Sequence, residues 1–492
     1  MRVTTPSGVV EGAEGDGVLL FAGIPYAEPP VGDLRFQPPR PHPGWDGVRD
    51  ATRFGPASAQ SPQRLGAPLP EFPDWSEDCL TLNVFTPGVD GALRPVIVWI
   101  HGGAFTVGSG AMSWYDGSSF ARRHDLVVVT VNYRLGALGF LSLDEVDGAQ
   151  PGAGNNGLLD QIAALRWVRD TIAAFGGDPG RVTVAGGSAG AISIDALLGM
   201  PEAQGLFHGA ILESGAGQPF HTPHVAAQVT ALFLEAAGVS GVAELKSLPV
   251  EDVLRAQGAV AAQLRTTPGA VRAEDGRPVT SAFSPVVDPA AGPRTTAPGI
   301  PILLGTNLDE NGLWSVMAPE LAEEQLQRRV SRMHRDPDRL LEVYREELPD
   351  AAPGDILSRI LTDMIFRIPA IRFAEARAAS DPDVWMYLFT WPSGAQDGRL
   401  GACHLLELPF VFNQLTAAGV TEFAGPHPPQ PLADRMHDAW AAFARTGDPA
   451  TPELPEWGRY DASARTTMEF GADSRPVGDP GAAARRLWLD AR

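Results

Sequence analysis

The sequence predicts an α/β fold built on a mostly parallel, doubly wound sheet, and three observations carry that expectation. Two almost wholly apolar runs, Pro95 to Ile100 (PVIVWI) and Leu126 to Val131, have the composition of strands covered on both faces. From Gly157 to Phe175 the apolar residues Leu158, Ile162, Leu165, Val168 and Ile172 recur at helical spacing, so a one-sided helix stands between strands. Arg181 to Ala185 is a short β-branched run that passes straight through Gly186-Gly187-Ser188-Ala189-Gly190 into helix-forming sequence. Strands that alternate with helices in this way pair in parallel.

Taken in order, Met1 to Ile24 alternates glycine turns with short apolar runs, the pattern of antiparallel hairpins at a sheet edge. Residues 25 to 75 are rich in proline and glycine and are expected to wrap the surface as an ordered loop, followed by a strand over Ser76 to Pro87. Ala210-Ile211-Leu212 and Pro301 to Gly305 (PILLG) read as further buried strands, and Val384 to Trp391 (VWMYLFTW) as the last clear one. Residues 223 to 265 and Leu313 to Ser380 read as helical, with a Pro/Gly-rich loop over 266 to 300. Because these helical blocks lie between strands, they are expected to be insertions over the carboxyl edge of one sheet, giving a single domain over 1–492 with no internal repeat.

Composition narrows the class. The chain has 492 residues, 44% of them hydrophobic, enough for a large core. With 38 Lys and Arg against 59 Asp and Glu its net charge is −21, which argues against nucleic acid and anionic membrane surfaces as partners. No stretch approaches the ~20 apolar residues of a membrane span. Two cysteines, Cys79 and Cys403, cannot make a disulfide framework, and the start MRVTTPSGVVEG has no apolar leader, so a soluble protein of the cytoplasm is expected.

The strand-turn-helix at Ser188 has the form of a nucleophile elbow. Gly186 and Gly190 keep the turn clear of side chains, the Ser188 hydroxyl projects from it, and the Ala189 N–H opens the helix toward a developing negative oxygen. A serine hydroxyl is a poor nucleophile at neutral pH and needs an imidazole base oriented by a carboxylate. In α/β-hydrolases these follow in the order serine, acid, histidine. After Pro301 to Gly305 come Asp309 and Glu310, and the sequence alone does not separate them. Of the later histidines, His334 stands in a charged helix, His427 among prolines and His437 in an amphipathic helix; only His404 lies in a loop past a buried strand. His101-Gly102-Gly103-Ala104 is the expected oxyanion-binding turn.

These residues lie in longer stretches that resemble the type B carboxylesterases, the family of cholinesterases and bacterial para-nitrobenzyl esterases. The similar stretches are FAGIPYAEPPVGDLRF at 21 to 36, EDCLTLNVF at 77 to 85, PVIVWIHGGAF at 95 to 105, GNNGLLDQIAALRWVRDTIAAFGGDP at 154 to 179, GGSAG at 186 to 190 and GTNLDENG at 305 to 312. The resemblance implies an α/β-hydrolase that cleaves carboxylic esters through an acyl-enzyme, with Ser188 as nucleophile, His404 as base and Glu310 as acid. It also implies Gly103, Ala104 and Ala189 as oxyanion donors, Gly102 as the residue shaping the turn, Ser214 as a support for the triad, and no metal or cofactor.

The sequence departs from the family where Gly187 replaces a glutamate before the nucleophile, and where residues 54–58 lack the cysteine that would pair with Cys79. Leu69 stands at the spacing of the cholinesterase tryptophan, with Trp75 nearer Cys79. A small, neutral, apolar ester is therefore the expected substrate, with Phe220, Phe283, Met364 and Phe366 as candidate pocket walls. The alternatives are an amide, carbamate or lactone hydrolase or an acyl transferase on the same triad, and a non-catalytic adhesion-type relative, a class that typically lacks part of this set.

Overall fold

A computed structural model describes residues 1–61, 74–146, 154–288 and 298–490. The chain divides into two compact units: the described residues of Met1–Gln63, Glu71–Gly209 and Pro219–Ala297 form the first, and Ala210–Gln218 with the described residues of Pro298–Arg492 form the second.

The first unit carries β1 (Arg2–Thr5), β2 (Gly8–Gly15), β3 (Val18–Pro25), β4 (Val48–Ala51), β5 (Ala57–Ser58), β6 (Trp75–Ser76), β7 (Thr81–Thr86), β8 (Arg94–Ile100), β9 (Val127–Val131) and β10 (Gly177–Gly187). Their order is β1-β2-β3-β7-β9-β8-β10, with β4 beside β2 and β5 paired with β6. The pairs from β1 through β7 to β9 are antiparallel, whereas β9–β8 and β8–β10 are parallel, as the N-terminal hairpin pattern and the apolar runs predict. Every residue of β8 and β9 is buried. The helix Asn156–Thr171 continues in a tight turn, Ile172–Phe175, and Leu158, Ile162, Leu165, Val168 and Ile172 are all buried.

Within the helix Asn156–Thr171, Asp160 is fully buried. Its carboxylate takes Arg134 Nη2 at 2.7 Å, Nε at 2.8 Å and the Arg134 N–H at 3.0 Å, while Arg134 Nη1 donates to Gln37 O at 2.7 Å. A charge pair this dry holds only because nearly every donor and acceptor is matched. The segment after β3, read as a surface wrap, in part plugs the core: Phe36 is 1% exposed and Tyr26 OH donates to Asn132 O at 2.7 Å. Proline and glycine content signals an irregular path, and such a path can also run inside where its polar groups find partners.

The second unit carries β11 (Gly209–Glu213, its last four residues), β12 (Ile302–Asn307), β13 (Val384–Phe389), β14 (Thr466–Phe470) and β15 (Arg475–Gly478). β11 to β14 are successive parallel neighbours and β15 closes the edge antiparallel. β14 and β15 extend the sheet beyond the strand expected to be last. Neither has an apolar run: TTMEF is half-buried, and RPVG carries a proline that only an edge strand tolerates. The block 313–380 is a succession of helices, and His334 lies between Glu323–Val330 and Pro337–Glu347 instead of within a helix, because Pro337 starts a new one. Among the described residues no helix is long and apolar enough to cross a membrane.

Candidate active site

In the first unit β10 delivers Ser188 directly to the helix Ala189–Gly199. Ser188 has φ 54 and ψ −120, a conformation that costs a non-glycine residue about 1–3 kcal/mol and that persists only where its surroundings enforce it. Those surroundings are glycine by necessity. A Cβ on Gly190 would lie 2.0 Å from Ile100 O, and one on Gly186 would lie 2.7 Å from the same oxygen. The buried Gly187 closes β10, and Ser188 is partly exposed beyond it.

The glycine turn after β8 sits against this elbow. A Cβ on Gly102 would come within 2.7 Å of Gly187 O and 3.1 Å of Ser188 Cβ, so the shaping role expected of Gly102 is a matter of space. Gly103 has φ +116, and Ala104 and Phe105 follow at φ 52 and 60. His101 Nδ1–H donates to Gly102 O at 2.7 Å, and Tyr133 OH donates to His101 O at 2.7 Å with the two rings stacked at 4.5 Å. Burial pushes the His101 imidazole down to about 4, so it is neutral at pH 7. Among the described residues, the N–H groups of Gly103, Ala104 and Ala189 make no hydrogen bond, which leaves them available as donors.

In the second unit Glu310 and His404 meet. His404 Nδ1–H donates to Glu310 Oε2 at 2.6 Å, and the His404 N–H donates to Glu310 O at 3.2 Å. Both side chains are buried. Fixing the proton on Nδ1 leaves Nε2 as the acceptor that a general base requires. Asp309 points elsewhere: it pairs with Arg359 Nη2 at 2.8 Å and accepts the Ala402 N–H at 2.9 Å. Of the two acids, Glu310 is the one whose carboxylate contacts His404.

Other candidates fall variously. Ser214, at φ 55 after β11, donates its N–H to Gly305 O at 2.9 Å, but its buried Oγ has no partner among the described residues. Phe366 lies 5.0 Å from the His404 ring, Met364 is half-buried in the same turn, and Phe283 is buried in the first unit, as Phe220 is in part. Trp314, which the sequence reading passed over, stands 5.2 Å from His404 and stacks on Phe366 at 6.1 Å. Its position four residues past Glu310 was the available signal. Leu69 lies outside the described residues, and Trp75 is exposed in β6. Cys79 and Cys403 are free and buried, and burial pushes the Cys79 thiol up to about 12. Of the remaining histidines, His437 is buried with Nδ1–H donating to Val411 O at 2.7 Å, and the His334 ring is held between the Asp336 backbone at Nδ1 and Leu487 O, 3.3 Å from Nε2.

A family model described as the carboxylesterase family matches residues 1–485. The chain belongs to the carboxylesterase family. It is 40% identical over 498 residues to a para-nitrobenzyl esterase of Bacillus subtilis, with 97% of this chain and 96% of that protein covered. A phenmedipham hydrolase of Pseudarthrobacter oxydans is 37% identical over 96% of this chain and 95% of its own length. Among solved structures, a Geobacillus stearothermophilus carboxylesterase superposes with a TM-score of 0.86 at 41% identity over 99% of both chains. The carboxylesterase therefore has the α/β-hydrolase fold, with a mixed sheet and flanking helices, and is a serine hydrolase of esters.

Proposed function

We propose that this carboxylesterase cleaves neutral, apolar esters with Ser188 as nucleophile, His404 as general base and Glu310 as the carboxylate that orients it. The observation that carries this reading is the 2.6 Å bond from His404 Nδ1–H to Glu310, which sets the tautomer a serine hydrolase needs. Ser188 Oγ attacks the ester carbonyl carbon as its proton passes to His404 Nε2, and the N–H groups of Gly103, Ala104 and Ala189 hold the oxyanion. The carbon–oxygen bond to the alcohol then breaks, and His404 returns the proton to the departing oxygen. Water repeats both steps, releasing the acid and restoring Ser188. The single family match over 1–485 supports one catalytic domain.

Neutral substrates follow from Gly187, which puts no carboxylate beside the nucleophile, and the Trp314–Phe366 pair beside His404 supports an apolar or aryl group there. That a 40% identical relative is a para-nitrobenzyl esterase fits the same reading. Ser188→Ala is expected to lower kcat on a neutral aryl ester by at least ~10³-fold while leaving the thermal unfolding transition in place. Retention of most activity would end the assignment.

A further inference from the structure

Behind the Glu310–His404 pair lies a buried acidic cluster that the mechanism above does not use. Asn307, the last residue of β12, sits at its centre. Its backbone N–H donates to Glu310 Oε1 at 2.8 Å, and its side-chain amide donates to Cys403 O at 2.7 Å and to Glu407 Oε2. One side chain therefore joins the acid-bearing strand end to both flanks of His404. Glu407 is fully buried, and its other oxygen has no partner among the described residues. Glu213, also fully buried, accepts Trp440 Nε1–H at 2.8 Å on one oxygen, and among the described residues its other oxygen, the buried Tyr387 hydroxyl and the buried Asn307 Oδ1 have no partner.

The titratable groups facing Glu407 are Glu310 and His404 on the two catalytic loops, Glu213 on β11, Tyr387 on β13 and Cys403 beside His404. His437, on the helix Gln430–Thr446 that packs nearby, is held by Val411 O, and Asp309 is neutralised by Arg359. Burial first, and the Glu310 charge second, push Glu407 up to about 7; an Asn307 hydrogen bond and the His404 charge oppose this. Glu213 is raised by burial and by Glu407, and Tyr387 by burial and all three carboxylates. A carboxyl placed so has its proton in play in the range where esterases work.

We propose that Glu407, acting through Asn307, is a positioning residue for the catalytic pair: it fixes the Asn307 clip and, when ionised, supplies a second negative charge that favours protonated His404. This inference rests on the triad reading above. The neutral form of Glu407 keeps the cluster from holding three bare charges. The ionised form strengthens the Asn307 bond and assists the base as it takes the serine proton.

The test compares Glu407→Ala and Glu407→Gln with the wild type in two readouts. The first is the pH dependence of kcat and kcat/KM on a neutral aryl ester. The second is the downfield proton resonance of His404 Nδ1–H, recorded without substrate. Glu407→Ala is expected to lower kcat about 10- to 100-fold with KM within about threefold, because a clip that slips misplaces the base. Glu407→Gln, which can still accept from Asn307, recovers most of that loss. In both variants the acid limb of kcat/KM moves to lower pH by about half a unit, since a charge favouring the imidazolium is gone, and the Nδ1–H resonance shifts. An acid limb and a resonance that stay where they are in both variants, whatever happens to kcat, overturn the proposal. If Glu407→Ala does not fold, Glu407→Gln decides the matter by the same two readouts. A wild type inactive on esters would sink the triad reading alone, because the resonance needs no turnover.

Discussion

Replacing Glu310 by glutamine should all but abolish activity without unfolding the protein, and the hydrogen bonds around it say why. Both carboxylate oxygens accept: Oε1 from the Asn307 backbone N–H at 2.8 Å and Oε2 from His404 Nδ1–H at 2.6 Å. A glutamine in the same place has one acceptor and one donor. The Asn307 N–H is a fixed donor at the end of β12 and takes the amide oxygen. The amide NH₂ then faces His404 and forces Nδ1 to become an acceptor, with the ring proton moved to Nε2. That tautomer cannot accept the proton of Ser188. Tautomer inversion in serine hydrolases removes roughly 10⁴ in kcat, or about 5.4 kcal/mol of transition-state stabilisation. Asp309→Asn makes the matched control: it keeps an oxygen for the Ala402 N–H and loses a partly exposed pair with Arg359, worth about 1 kcal/mol or less. Its kcat should stay within about threefold of wild type. Initial rates on a neutral aryl ester at pH 8, with circular dichroism melts of each variant, provide the comparison. Equal losses in the two variants, or Glu310→Gln within tenfold of wild type, would refute the reasoning.

Acid should unfold the protein through its buried neutral histidines. Burial pushes His101 and His221 each from 6.5 down to about 4, so the native state resists a proton that the unfolded chain accepts. Their contribution is complete above pH 6.5 and is lost as pH falls toward 4, by about 3 kcal/mol for each group. Urea midpoints across this window should fall less steeply for His221→Asn than for wild type, and parallel curves would remove His221 from the account. For specificity, a neutral ester should exceed its quaternary ammonium isostere in kcat/KM, and the preference should survive high salt, because the −21 charge acts only on encounter. A cationic ester hydrolysed tenfold faster irrespective of salt would instead make Trp314 a cation-binding face.

How much was legible in the sequence depended on whether a feature was local. Ser188 could be read because its strand, its glycines and its helix are contiguous, and the steric reasons for Gly186 and Gly190 need only the turn itself. His404 could be singled out by its loop. The choice between Asp309 and Glu310 was not local: it turned on Arg359 and Ala402, which capture Asp309 from distant parts of the chain. Asn307 and Glu407 escaped notice because a buried polar residue at a strand end or just before a helix reads like any capping residue until its partners are known. The burial of Phe36 and of Asp160 was hidden for the same reason, as each is decided by contacts with remote segments. β14 and β15 were missed because short strands at or next to the sheet edge, partly or largely exposed, lack the apolar run that marks the central ones.

The central claim, that Ser188 carries the acyl group during turnover, is tested most directly by the intact mass of enzyme quenched in acid while hydrolysing a slowly deacylated aryl ester. The account predicts one added acyl group, mapped by peptide digestion to the segment containing Ser188, and no such adduct in Ser188→Ala. An acyl group found on another residue, or steady turnover by the Ser188→Ala protein, would contradict it.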